Sequence, residues 1–250
     1  MSKPFRLGRC IPPGQLRIGV VADSAKIEIW KIELIEELLS EPAIKVAALF
    51  TTSTSTSAPP PLYTRYLGGS LNAGPERLVE FPSHFPVATK VCLSDGIRLS
   101  PDTQNQIAEC DLDVLIWLAN LPVCNYGESA RFGVWWFSFG DPRNQAWRPA
   151  FFTEAARGDV VTELWLLTYQ QGSEMGIVLD RYSTSTQQGW PLARNAVQPL
   201  KAAASLLLRR LLDLLEFGAD HFRQRISRSE IVNCIGLPPT YPHKIGRAHV

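Results

Sequence analysis

Seven consecutive residues, Leu112 to Leu118 (LDVLIWL), carry six apolar side chains and a single aspartate. A strand with one face in water alternates apolar and polar residues. This run does not alternate, so it needs cover on both faces. A sheet sandwiched between helices provides that cover, and the chain around the run supplies the other parts. Leu16 to Val21 (LRIGVV) is a short β-branched strand followed by Ala22 and Asp23. From Ser24 onward the apolar residues Ile27, Trp30, Leu34, Ile35 and Leu38 recur at helical spacing, and Ile44 to Phe50 is the next strand. A strand, helix and strand within about 35 residues imply a right-handed crossover and parallel pairing.

The same alternation continues. Ala88 to Leu93 is a strand, and Ser100 before Pro101 starts a helix over Pro101 to Cys110. Gly133 to Phe137 is a strand and Pro149 to Ala156 a helix. Val161 to Thr168 and Ile177 to Tyr182 form an antiparallel pair across QQGSEMG. Val197 to Phe217 is a long amphipathic helix stopped by Gly218. The expected fold is α/β, a doubly wound, Rossmann-like and mainly parallel sheet. The expected organisation is an N-terminal extension over 1–15, one domain over 16–222 and a C-terminal extension over 223–243. One codon choice for KIGRAHV, Lys244 to Val250, spells the start of a common sequencing adapter, so 244–250 is read as read-through. Thr51 to Pro61 (TTSTSTSAPPP) is too low in complexity to bury a core and is expected to be a loop.

Composition narrows the function classes. Of the 250 residues 45% are hydrophobic, enough for an ordinary core, and the net charge is +1. That balance lacks the basic excess of nucleic-acid binders, and the arginines at 209, 210, 223, 225 and 228 read as a solvated helix face. The five cysteines form no CxxC pair or metal spacing. No apolar run reaches signal-peptide or membrane-span length; Arg209, Arg210 and Asp213 interrupt the longest apolar helix. The expectation is a soluble cytoplasmic protein with neither nucleic-acid nor membrane partners. Oligomeric state is not legible.

The stretch from Arg131 to Thr168 carries the candidate site. Its strand, polar turn, helix and strand place Ser138, Asp141, Arg143 and Arg148 at the carboxyl end of a strand, where open α/β sheets bind ligands. Asn120 follows another such strand and joins the ligand-binding set. Trp136 and Trp147 flank the expected cleft and can stack on a planar ligand. Asp141 reads first as a turn cap. FSFGD lacks the GxSxG spacing of a nucleophile elbow, and LRIGVVADS lacks GxGxxG. Gly68 and Gly69 read as a plain turn.

The segments GVWWFSFGDP, WRPAFFTEAARGD and VTELWLLTYQQGSEMGIVL occur in this order. Together they resemble the formyltransferase superfamily, which includes methionyl-tRNA, glycinamide-ribonucleotide and nucleotide-sugar formyltransferases. The match is to a divergent bacterial branch reading like GVWSFHHGD followed by RGGPPGFWE, and it spans about Leu16 to Phe217. The resemblance implies transfer of a formyl group from 10-formyltetrahydrofolate to the amine of a small acceptor, such as an amino sugar. In that family an N-x-H motif and an Asp in a D-x-G turn carry the chemistry. Here Trp136 stands at the Asn position, Ser138 at the His position and Glu174 at the Asp position. A serine cannot take a proton near neutrality, and Glu174 adds a methylene. Two readings follow: an active transferase with an altered site, or a catalytically silent relative that binds a ligand or partner. Of the four histidines, His84 in FPSHFP is the candidate replacement base. Ser138 Oγ and the Glu174 carboxylate are expected to face one cleft.

Overall fold

The strand β1 (Leu16–Asp23) is buried along almost its whole length and pairs in parallel on both sides. Its neighbours are β3 (Ile44–Thr52) and β6 (Val114–Trp117). A computed structural model describes residues 15–23, 26–52, 78–80, 89–93, 101–119, 129–144, 151–169, 175–187 and 194–233. Beyond β3 lies β5 (Thr89–Leu93), and beyond β6 lies β7 (Val134–Phe139), both parallel to their neighbours. The antiparallel strands β8 (Val161–Tyr169), β9 (Met175–Ser185) and β10 (Ile231–Asn233) complete the sheet. The order is β10-β9-β8-β7-β6-β1-β3-β5. A two-stranded ribbon pairs β2 (Lys26–Glu28) with β4 (Leu78–Glu80).

The sheet is covered on both faces, as the unbroken LDVLIWL run requires. On one face Leu16, Ile18, Val20, Val114 and Ile116 pack with Leu34, Ile35 and Leu38 of α1 (Ile29–Ser40). Leu200, Ala203, Leu207 and Leu211 of α4 (Arg194–Arg228) join that core. On the other face Val21, Phe50, Leu115, Trp117 and Val134 pack with Ile107 of α2 (Pro101–Glu109). Alternate residues of β1 and β6 thus serve opposite cores, the arrangement of a doubly wound sheet. At the amino end of β6, Asp113 accepts the backbone N–H of Arg17 at 2.9 Å and ties β6 to β1.

Several boundaries differ from the sequence reading, each for a local reason. α1 begins at Ile29, not Ser24, because Ile27 is drawn into β2 opposite Val79. β7 extends to Phe139, since β8 continues its ladder as far as the Phe139–Leu164 pair. The short α3 (Phe152–Arg157) starts three residues late, because Phe151 before it is left-handed, with φ of 61°. α4 does not stop at Gly218. That glycine adopts φ 78° and ψ 179°, a conformation close to glycine-only, and the helix resumes after the kink. The continuation is held because Phe222 is buried against Phe132 and Trp135, with ring centroids 5.5 and 5.7 Å away. After the helix, β10 joins the edge of the main sheet beside β9.

Most of the low-complexity loop and the whole of 244–250 lie outside the described residues. Among the described residues no helix is long and apolar enough to cross a membrane. Four arginines of the basic face of α4 are paired within the fold. Arg209 and Arg210 both donate to Asp180 at 2.6 Å, Arg223 pairs with Asp220, and Arg225 lies 3.6 Å from Asp213.

Candidate functional site

The carboxyl end of β7 lies where the sheet changes from parallel to antiparallel pairing. Successive residues of a strand point to opposite faces, so Trp135 and Phe137 enter the core under α1 and α4 while Trp136 and Ser138 look the other way. Trp136 is half-buried. Its ring stacks on Tyr169 with centroids 4.2 Å apart, and it packs on a cluster of Trp165, Leu167, Val178 and Val232. Ser138 is 1% exposed, and its hydroxyl donates to the Gly140 carbonyl at 3.0 Å. Both residues that the sequence resemblance would place at catalytic positions are therefore packed into the structure. Neither has the setting of a proton carrier.

Gly140 ends the strand with φ +100° and donates its N–H to the Glu163 carbonyl at 2.9 Å. A side chain here would collide with Oε1 of Glu154, which fills the space a Cβ would occupy. Glu154, on α3, is 8% exposed, and its Oε2 is buried without a hydrogen-bond partner among the described residues. Burial pushes its carboxyl above the ordinary glutamate range. Its own backbone N–H partly offsets this, Asp159 adds to it and Arg157 opposes it, with a smaller push from Glu163. Carboxyls whose titration is perturbed by burial cluster at functional sites. Glu154 is not among the residues the sequence singles out.

Asp141 caps the turn as expected: Oδ1 accepts the Arg143 N–H at 2.9 Å. Burial would raise this carboxyl, but the Arg143 guanidinium and backbone outweigh it and hold it below the ordinary aspartate range. Arg143 lies in the turn Pro142–Asn144 and also reaches Glu230 at 3.3 Å. Its guanidinium sits 5.8 Å from the ring centre of Trp165, with Arg181 5.0 Å from the same ring. The Trp165 indole N–H donates to Glu163 at 3.1 Å. Arg143, expected to bind ligand, thus braces the β7 turn against β8 and β10. Asn120, Trp147, Arg148, Glu174 and His84 lie outside the described residues, and with them the expected meeting of Ser138 and Glu174.

A second polar group, which the sequence reading did not single out, lies at the carboxyl end of β1, beside the point where strand order reverses. Asp23 is 1% and Lys31 3% exposed. Lys31 Nζ lies 2.7 Å from Glu28 Oε2 and 3.8 Å from Asp23 Oδ2. The signal was a lysine on the apolar face of α1, four residues before Ile35 and seven before Leu38. Among the described residues no cluster has metal-ligating composition.

These groups define what a folate-type site could use. The orphaned Glu154 oxygen suits a ligand bearing N–H donors. Ser138 does not suit a role as donor to a formyl oxygen, since its hydroxyl is spent on Gly140, and the stack on Tyr169 holds the Trp136 ring in place.

Compared by sequence, the chain matches no protein-family model and no curated protein. Its fold does match solved structures. Glycinamide ribonucleotide transformylase 1 from Symbiobacterium toebii superposes with a TM-score of 0.57 at 10% identity, covering 81% of this chain and 89% of that one. Phosphoribosylglycinamide formyltransferase from Anaplasma phagocytophilum gives 0.55 at 11% identity, over 81% and 87%. A formyltetrahydrofolate deformylase from Pseudomonas syringae pv. tomato gives 0.53 at 12% identity, over 81% of this chain and 62% of that one. With a mainly parallel sheet, helices on both faces and these neighbours, the chain has the formyltransferase fold.

Proposed function

We propose that this protein is a formyltransferase-type enzyme of the cytoplasm that acts on the amine of a small molecule, an amino sugar or similar compound. The formyl donor in this reading is 10-formyltetrahydrofolate, which supplies the one-carbon unit when bound. The observation that carries the reading is the end of β7. There a strand, turn and helix in the order of the family motif hold a buried carboxyl, Glu154, against Gly140. In this site Gly140 admits the carboxyl, Asp141 and Arg143 fix the turn, and Glu154 is the group able to exchange a proton.

The Trp136–Tyr169 stack and the Ser138–Gly140 hydrogen bond favour a second reading. With both family positions turned to packing, the fold would bind its ligand without turning it over. Titration with 5-formyltetrahydrofolate, followed by a formyl-transfer assay with glucosamine, separates the two. Binding with transfer supports the enzyme. Binding without transfer supports the silent relative, and no binding removes the folate donor from the account.

A further inference from the structure

We propose that the Glu154 carboxyl is the docking and proton-accepting group for the ammonium of the acceptor, Oε2 receiving an N–H that no described residue supplies. The inference deepens the proposed function and rests on its amine acceptor. A buried carboxyl oxygen left without a hydrogen bond is destabilising, more so when charged, so a persistent orphan invites a partner. Oε1 is enclosed against Gly140, while Oε2 has no partner among the described residues.

Among the described residues the nearby cations are not in place to satisfy it. Arg143 is engaged by Asp141 and Glu230. Arg157, from the same helix, acts on Glu154 only at a distance, and the other charged groups that face it, Asp159 and Glu163, are acidic. Two acids, one arginine and the carboxyl itself make a locally negative setting. An incoming cation with several N–H donors, a primary ammonium, complements both the charge and the missing hydrogen bond. A carboxylate, amide or phosphate ligand would supply either the wrong charge or too few donors.

The chemistry is a single proton transfer. An N–H bond of the ammonium breaks, an O–H bond forms at Glu154, and the nitrogen keeps the electron pair, which makes it a nucleophile. A carboxyl lifted above the ordinary range is a better base for this than an exposed glutamate. Ser138, at the family's histidine position, could not do it.

The test uses the full chain with its glutamates labelled with 13C at Cδ, and E154Q assigns the Glu154 resonance. E154D provides the assignment by difference if E154Q does not fold. The probes are glucosamine and, as a control without a free amine, N-acetylglucosamine. The expected results are a titration midpoint above the ordinary glutamate range and a fall of about one unit with saturating glucosamine, equivalent to about tenfold in affinity between the two protonation states. N-acetylglucosamine should leave the midpoint unchanged, and E154Q should weaken glucosamine binding at least about tenfold. A midpoint in the ordinary range, or equal responses to the two sugars, overturns the assignment. These readouts need no turnover. If folate fails to bind while Glu154 responds to the amine, the formyl-donor reading fails and the amine site stands.

Discussion

At the residue scale the contact between Gly140 and Glu154 controls the end of β7. Gly140 has both a positive φ and no room for a side chain, so Gly140→Ala combines backbone strain with overlap. We expect it to lower stability by about 2–4 kcal/mol, seen as a lower urea midpoint. Glu154→Ala in the same chain should relieve the overlap and recover part of the loss, a coupling of about 0.5–3 kcal/mol in the double-mutant cycle. Glu154 also predicts a pH dependence. Its folded-state value is raised, so the native protein keeps a proton that the unfolded chain has released. The stability it contributes is present below the ordinary glutamate range and is lost as pH rises through the folded value. Glu154→Gln, which stays neutral, should therefore gain on the wild type across that window in denaturation curves taken at successive pH. Part of this site was legible in the sequence. Asp141 was readable as a cap because an aspartate two residues before its partner N–H is a local arrangement. Glu154 was not, because nothing local says that a glutamate on a short helix will fold back onto a strand end twelve or more residues earlier.

At the scale of elements the long helix α4 is the most informative case. Gly218 reads as a stop, and its backbone does break the helix, yet the chain continues helically to Arg228. What decides is tertiary: Phe222 lies beyond the kink and is 7% exposed, whereas Phe217 before it is 53% exposed. Phe222→Ala should cost about 3–5 kcal/mol, and Phe217→Ala about 0.5 kcal/mol or less, both read from thermal or urea unfolding. Equal effects would mean that the segment after the kink is not part of the core. The main strands were legible because continuous apolar runs such as Leu112–Leu118 leave little choice of environment. The ribbon β2–β4 and the edge strand β10 were not, since three-residue strands carry too few side chains for a period of two to show. The arginines of α4 were read as a solvated face. Asp180 on β9, paired with Arg209 and Arg210, is a long-range partner that no spacing rule along the helix reveals.

At the scale of the whole molecule the parallel half of the sheet, β5-β3-β1-β6-β7, and its antiparallel extension, β8-β9-β10, meet at β7. The proposed site lies at that seam, and adjacent tryptophans report on its two sides. Trp135 is fully buried beneath α4, stacked on Phe222, while Trp136 shares the opposite face with Ser138. The most direct test of the account is therefore an indole N–H chemical-shift map, assigned with Trp135→Phe and Trp136→Phe, during titration with 5-formyltetrahydrofolate and glucosamine. A site at the end of β7 on the Trp136 face predicts that the Trp136 resonance moves with saturation while that of Trp135 stays fixed. Movement of Trp135 alone, or saturable binding that leaves Trp136 unmoved, would contradict it.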